Sequence, residues 1–159
     1  MTHIKKATAE QVTDFFLSDP ALCYLALPDE DLINLHEKKI YIPSKEEYLF
    51  GVWEKTKLVG IVRYSFFTST SVNLHLYIHT EAHKTQLSKD IQQQVKNYIR
   101  DYTVASKIML MVPKPCHHVQ KPAKTFGFVL EGCLTDVLIW RKELVDVYIY
   151  SLNLQKSET

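Results

Sequence analysis

Three segments in the first half of the chain are rich in aromatic and β-branched residues over strand lengths. They are residues 47–54 (EYLFGVWE), 58–67 (LVGIVRYSFF) and 72–78 (VNLHLYI). Such stretches suit a pleated, half-buried surface. The gaps between them, residues 55–57 and 68–71, have hairpin lengths, so an antiparallel meander is predicted. The period then changes. Over residues 84–102, Leu87, Ile91, Val95, Tyr98 and Ile99 recur at helical spacing, which predicts an amphipathic helix. Residues 107–112 (KIMLMV) form a short continuous apolar run after that helix. A strand of this kind pairs in parallel within a sheet.

The flanks complete the order. Residues 3–7 read as a short strand, and Thr8 as the N-cap of a helix carrying Val12, Phe15 and Phe16, which Pro20 breaks or restarts. Residues 29–36 read as a short helix and 40–43 as an extended segment. A further helix is expected over 119–126 with Pro122 in its first turn. Two long strands follow, 128–140 and 145–154, joined by residues 141–144. The result is a mixed α+β architecture on one twisted sheet. No linker or repeat divides the chain, so residues 1–154 read as one domain and 155–159 as a disordered tail.

Composition narrows the function classes. Of 159 residues, 46% are hydrophobic and 23% charged, which fits a soluble globular domain and is too apolar for a disordered one. Lys and Arg total 19 against 18 for Asp and Glu, so no strong field draws nucleic acid or an anionic membrane. Cys23, Cys116 and Cys133 are odd in number and lack CxxC spacing, which points to a reducing compartment. The start of the chain lacks the apolar run of a signal peptide, and no apolar stretch is long enough to cross a membrane. A cytoplasmic location is expected. P-loop, dinucleotide-binding and nucleophile-elbow motifs are absent from the sequence. His75, His79 and His83 recur every four residues, which would align them only on a helix, whereas this stretch reads as a strand running into a loop. No metal is expected there.

One resemblance adds to this reading. Leu58, Val59, Gly60, Ile61 and Val62 look like the "hlvG" turn and strand of the GNAT superfamily of acyl-CoA-dependent N-acyltransferases. Thr125, Phe126, Gly127 and Phe128, followed by Glu131 and Gly132, look like its "lGF…EG" signature. The order of elements is similar across nearly the whole chain. The resemblance implies a single mixed, mostly antiparallel twisted sheet of six to seven strands flanked by helices. It also implies acetyl-CoA or another acyl-CoA as co-substrate, with a small amine or a protein or peptide amine as acceptor. A homodimer through the C-terminal strand is a further expectation.

The family holds the cofactor pyrophosphate on backbone N–H groups of a [Q/R]-x-x-G-x-[G/A] loop at a helix start. Here the matching residues run from His83 to Ser88, with Gln86 in place of the first glycine and Ser88 in place of the second small residue. Only four glycines occur in the chain, against about eleven at average usage. His83, Lys84 and Lys89 offer compensating positive charge. By resemblance, His83, Lys84, Gln86, Leu87 and Ser88 would bind phosphate. Backbone groups of Tyr77, Ile78 and His79 would pair with the pantetheine arm.

The tyrosine that protonates the departing thiolate in this family is replaced by Ala123, and an asparagine position by Cys116. Cys116, His117 and His118 are the nearest alternatives, following the 107–112 strand at its open end. By the two-residue period Asn73, His75 and Tyr77 share one strand face, and His75 is the best candidate general base there. Two readings stand side by side: an N-acyltransferase, and a non-catalytic GNAT-fold binding or assembly protein with a degenerate CoA site. A phage head-assembly or virion-associated protein would be an example of the second, with Trp53, Tyr64 or Trp140 as exposed anchors. The path of the 80–88 loop separates them. Open N–H groups with the Gln86 side chain turned aside favour the enzyme, and a blocked phosphate site favours the binding protein.

Overall fold

The computed structural model describes residues 2–37 and 46–155. The extended segment expected at 40–43 and most of the expected tail, 156–159, lie outside the described residues. A first strand β1 (Thr2–Lys5) leads to three helices, α1 (Ala9–Leu17), α2 (Pro20–Ala26) and α3 (Asp29–His36). The meander follows as β2 (Tyr48–Glu54), β3 (Lys57–Thr68) and β4 (Ser71–Ile78). A single 3₁₀ turn, Thr80–Ala82, precedes α4 (Gln86–Tyr102), β5 (Lys107–Pro113) and α5 (His117–Phe126). The chain closes with β6 (Val129–Trp140) and β7 (Glu143–Asn153).

The seven strands among the described residues join one sheet in the order β1-β2-β3-β4-β5-β7-β6. Among the described residues only the β4–β5 pair is parallel. The α+β fold expected from the pattern is the one observed. Thr8 caps α1 in a capping box: the Gln11 N–H donates to Thr8 Oγ1 at 3.1 Å and the Thr8 N–H to Gln11 Oε1 at 2.9 Å. Pro20 restarts the chain as the first residue of α2, where its missing N–H has no helical partner to lose.

Period-two alternation makes β4 a two-sided strand. Val72, Leu74 and Ile78 meet Ile91, Val95 and Ile99 of α4 on one face. Tyr77, with Ile61 of β3, meets Val12, Phe15, Phe16 and Leu22 of α1 and α2 on the other. Each α4 anchor contributes about 1.5–3 kcal/mol by leaving water. Gly60 sits where β3 passes close to β4: a Cβ there would stand 3.2 Å from the Tyr77 carbonyl oxygen.

Four expectations need correction. Helix α5 starts at His117, two residues early, so Pro122 lies inside the helix rather than in its first turn. The helix then ends on Gly127 at φ 109°, a left-handed cap that glycine adopts without strain. The link between the last two strands is a tight turn of Arg141 and Lys142, at φ 52° and 66°, not four residues. Strand β7 is paired on both sides, by β5 and β6, so it has no free edge for a second chain; the sheet edge belongs to β6. Finally, Trp53, Tyr64 and Trp140 are buried in the core and cannot serve as exposed anchors.

Candidate functional site

Strands β4 and β5 pair only over Ser71↔Lys107, Val72↔Ile108 and Asn73↔Met109. Beyond that point β4 continues along β3 as far as Ile78, and β5 along β7 as far as Pro113. The two central strands therefore part, and a wedge opens between their carboxyl ends. Helices α4 and α5 follow directly from these strands, so both helix starts lie at the mouth of the wedge. Crevices at strand carboxyl ends, beside helix N-termini, suit anionic ligands.

The start of α4 is open. Its N-cap residue Thr85 makes no side-chain bond to the helix, because its hydroxyl donates to the Ala82 carbonyl at 2.5 Å. The first-turn N–H groups of Gln86, Leu87 and Ser88 have no carbonyl within the helix to receive them. No acidic residue lies in that turn. Gln86 does not cover it either: its Nε2 donates to Asp90 Oδ1 at 2.9 Å, so the side chain runs along the helix surface. Lys84 adopts the left-handed conformation at φ 61°, and both Lys84 and Lys89 are exposed. Ser88 is buried, and its hydroxyl accepts from Gln92 Nε2 at 3.1 Å. Its backbone belongs to the open turn, whereas its side chain faces inward.

At the end of β4 the expected groups take different roles. The His79 N–H donates to the Val59 carbonyl at 3.1 Å, and so joins β3 rather than the wedge. His83 does not reach outward toward an anion. Its Nε2–H donates to the Ile78 carbonyl at 2.7 Å, folding the imidazole back on the strand. The His79 imidazole lies 3.3 Å from Asp19 Oδ2 and edge-on to Phe15. Asp19 is buried and accepts from the Leu22 N–H, the Thr80 N–H and the Thr80 hydroxyl. Burial alone would raise its pKa, but these donors and His79 together hold the carboxyl below the usual range. Asp19 thus ties the start of α2 to the exit of β4.

The three catalytic candidates do not come together. His75 lies opposite Arg63 in the β3–β4 register and stacks beside Tyr77, with ring planes 9° apart. Burial, with the Arg63 charge adding to it, pushes its imidazole down to about 4, so it is neutral at pH 7 and a weak base. Cys116 is buried under α2, where its thiol donates to the Leu25 carbonyl at 3.5 Å, and burial pushes it up to about 11. It is neither an exposed acid nor a nucleophile. His117 is exposed at the start of α5. Its neighbour His118 is half-buried, and burial followed by the charge of His83 and His117 lowers its pKa. His118, at the start of α5, therefore lies close enough to His83, after β4, to feel its charge.

A polar cluster centred on Arg63 was not anticipated. Arg63 Nε lies 3.0 Å from Glu47 Oε2, and its Nη2 donates to the Tyr77 hydroxyl at 3.1 Å. Asp31 of α3 lies within the fields of Arg63, Glu30 and Glu47. The one available signal was a charged residue in the middle of the apolar 58–67 run. Among the described residues, no group of three His, Cys, Asp or Glu side chains is arranged to hold a metal ion. No described helix is long and apolar enough to cross a membrane.

No curated protein matches this sequence. A family model described as "Protein of unknown function (DUF2824)" matches residues 10–159. Solved structures share the fold at low identity. A probable acetyltransferase of the GNAT family from Chromobacterium violaceum has a TM-score of 0.77 at 14% identity, over 96% of this chain and 82% of that one. The Microcin C7 self-immunity acetyltransferase MccE, solved with acetyl-CoA and AMP, has a TM-score of 0.73 at 13% identity, over 96% and 92%. A mutant of the spermidine N-acetyltransferase SpeG from Vibrio cholerae has a TM-score of 0.72 at 16% identity, over 96% and 93%. The chain has the GNAT fold.

Proposed function

We propose that this chain, which belongs to the DUF2824 family, is an N-acyltransferase that takes an acyl group from acetyl-CoA or another acyl-CoA. The observation that carries this reading is the open start of α4 beside the β4–β5 wedge, with the Gln86 side chain turned onto Asp90. The departure from glycine at residue 86 leaves the first-turn N–H groups uncovered.

The residues present fit the co-substrate. The N–H groups of Gln86, Leu87 and Ser88 would hold the pyrophosphate, with Lys84 and Lys89 adding charge around it. The edge of β4 past Asn73, which no strand among the described residues covers, would align the arm and offer backbone donors to the acyl carbonyl. The co-substrate supplies a thioester whose carbonyl carbon an amine attacks: the C–N bond forms, the C–S bond breaks, and the sulfur takes up a proton as the nitrogen releases one. Half-buried His118, neutral at the mouth, would take the proton that the nitrogen releases and pass it to the departing sulfur, a relay that buried Cys116 and exposed His117 suit less well. His75 would act through its position on the strand face, since its imidazole is too weak a base at about 4.

A second reading has one observation of its own. The Ile78 carbonyl, on the strand end expected to meet the pantetheine arm, is already taken by the His83 imidazole. A closed contact there favours a binding or assembly protein that has given up the cofactor. Thermal unfolding with and without CoA and acetyl-CoA decides between them. A ligand at about 100 times its Kd adds about 2.7 kcal/mol, which raises the midpoint of a domain this size by about 5–10 °C. A shift of that order supports the enzyme. No shift at millimolar CoA removes the acyltransferase reading and leaves the binding protein.

A further inference from the structure

One buried carboxylate joins two elements far apart in sequence beside the candidate site. Asp19, 4% exposed, is the N-cap of α2, where its Oδ1 accepts from the Leu22 N–H at 3.2 Å. It also accepts the Thr80 N–H at 2.7 Å and the Thr80 hydroxyl at 2.9 Å, across 61 residues of chain. These partners are all donors, which suits a carboxylate, an acceptor with no proton of its own. Ring packing backs the polar contact. Phe15 lies edge-on to His79 and Phe16 edge-on to Tyr77, so α1 grips the same end of β4.

From Thr80 the bonds run on to the start of α4. The Thr80 carbonyl accepts the His83 N–H at 3.1 Å, and the His79 carbonyl accepts the Ala82 N–H at 2.9 Å. Ala82 is buried in the core under α4. Its carbonyl accepts both the N–H of Thr85, at 3.2 Å, and the Thr85 hydroxyl, at 2.5 Å. Thr85 is the residue before α4, and with its hydroxyl engaged there it does not cap the helix. Asp19 therefore fixes Thr80, the 3₁₀ turn carries that constraint to Thr85, and Thr85 sets the direction of the open N–H groups behind it.

We infer that Asp19 is a positioning residue: it sets the start of α4, and through it aims the N–H groups of Gln86, Leu87 and Ser88 at the co-substrate pyrophosphate. The inference rests on the acyltransferase reading. Asp19 acts through Thr80 and the turn, not by contact with the co-substrate. Hydrogen bonds weaken steeply with misalignment, so a turn that drifts loses affinity without losing a donor.

Isothermal titration of CoA into the full chain tests this. Thr80→Val removes the hydroxyl and keeps the side-chain shape and the backbone N–H, so it should fold; it is expected to weaken CoA by about fivefold or more. Thr80→Ser restores the hydroxyl and should bind within about twofold of wild type. Asp19→Asn turns an amide N–H toward a donor and should weaken CoA by about tenfold or more. Asp29→Asn loses a carboxylate that pins the β6–β7 turn instead, and controls for stability: CoA should bind within about twofold of wild type. The inference is overturned if Thr80→Val and Asp19→Asn bind CoA as wild type does, or if Asp29→Asn weakens CoA as much as Asp19→Asn.

Amide hydrogen exchange reads the helix start without any ligand. The amides of Ala82, His83 and Thr85 should exchange about fivefold faster in Thr80→Val, with those of β7 unchanged. Unchanged exchange at all three overturns the inference whatever CoA does. Failure of wild type to bind CoA removes the acyltransferase reading and the pyrophosphate with it, and faster exchange at the three amides would then keep Asp19 as the residue that sets the helix start.

Discussion

Asp29 holds Arg141 twice, accepting from its backbone N–H and from its guanidinium Nη1, each at 2.8 Å. The same carboxylate accepts the Lys142 N–H at 3.0 Å, and Arg141 Nη2 donates to the Leu27 carbonyl. One side chain at the start of α3 thus pins the β6–β7 turn, whose two residues both adopt the left-handed conformation without being glycine. The pinned turn closes the end of the sheet against α2 and α3, on the face that carries the Arg63 cluster.

That relationship predicts both strain and pH dependence. Lys142→Gly should stabilise the protein by about 0.5–1 kcal/mol, because glycine takes a positive φ without the Cβ penalty. The bonds from Lys142 and Arg141 hold the Asp29 carboxyl below its usual range. Its contribution is present above the unfolded value near 3.9 and is lost as pH falls through the folded value. Acid unfolding monitored by circular dichroism should therefore show less pH dependence below about pH 4 in Asp29→Asn than in wild type.

His75 predicts a separate window. Its imidazole sits at about 4 in the folded protein, against about 6.5 when unfolded. The unfolded chain thus binds a proton that the native one refuses, and stability falls as pH drops from about 6.5 to 4 by roughly 3 kcal/mol. Urea midpoints across that range should fall in wild type and stay flatter in His75→Gln. An equal slope in both would show that the imidazole titrates normally.

His83 sets two outcomes against each other. In His83→Ala the Ile78 carbonyl is released, and CoA should bind about threefold more tightly. Loss of a positive neighbour should also move the His118 titration upward, as read from its imidazole proton by NMR. Weaker CoA binding would instead give His83 a direct part in holding the anion.

The helix start makes the last prediction. Gln86→Gly should leave CoA affinity within about threefold, because the glutamine side chain already lies on Asp90. Lys84→Glu should weaken CoA by about tenfold, with the difference shrinking in high salt.

How far the chain was legible follows the range of each interaction. The meander, the 86–102 helix and the strand after it depend on residue periods within one segment, and they were read close to their true bounds. Thr8 and Pro20 act within a few residues of themselves, so their capping roles were visible too. Pro122 was misplaced because a helix start depends on what packs over it, and here the preceding Cys116 is held by α2.

Sequence by itself determined the strand and helix order and the resemblance that order carries, because each rests on neighbours along the chain. Tertiary structure decided which way the site's side chains face. Only the fold turns Gln86 onto Asp90 at the mouth of the wedge, buries the Cys116 thiol against Leu25 and brings Asp31, Glu47, Arg63 and His75 from four elements or loops to one face. Desolvation and charge balance arise from atoms distant in sequence, so no local pattern encodes them.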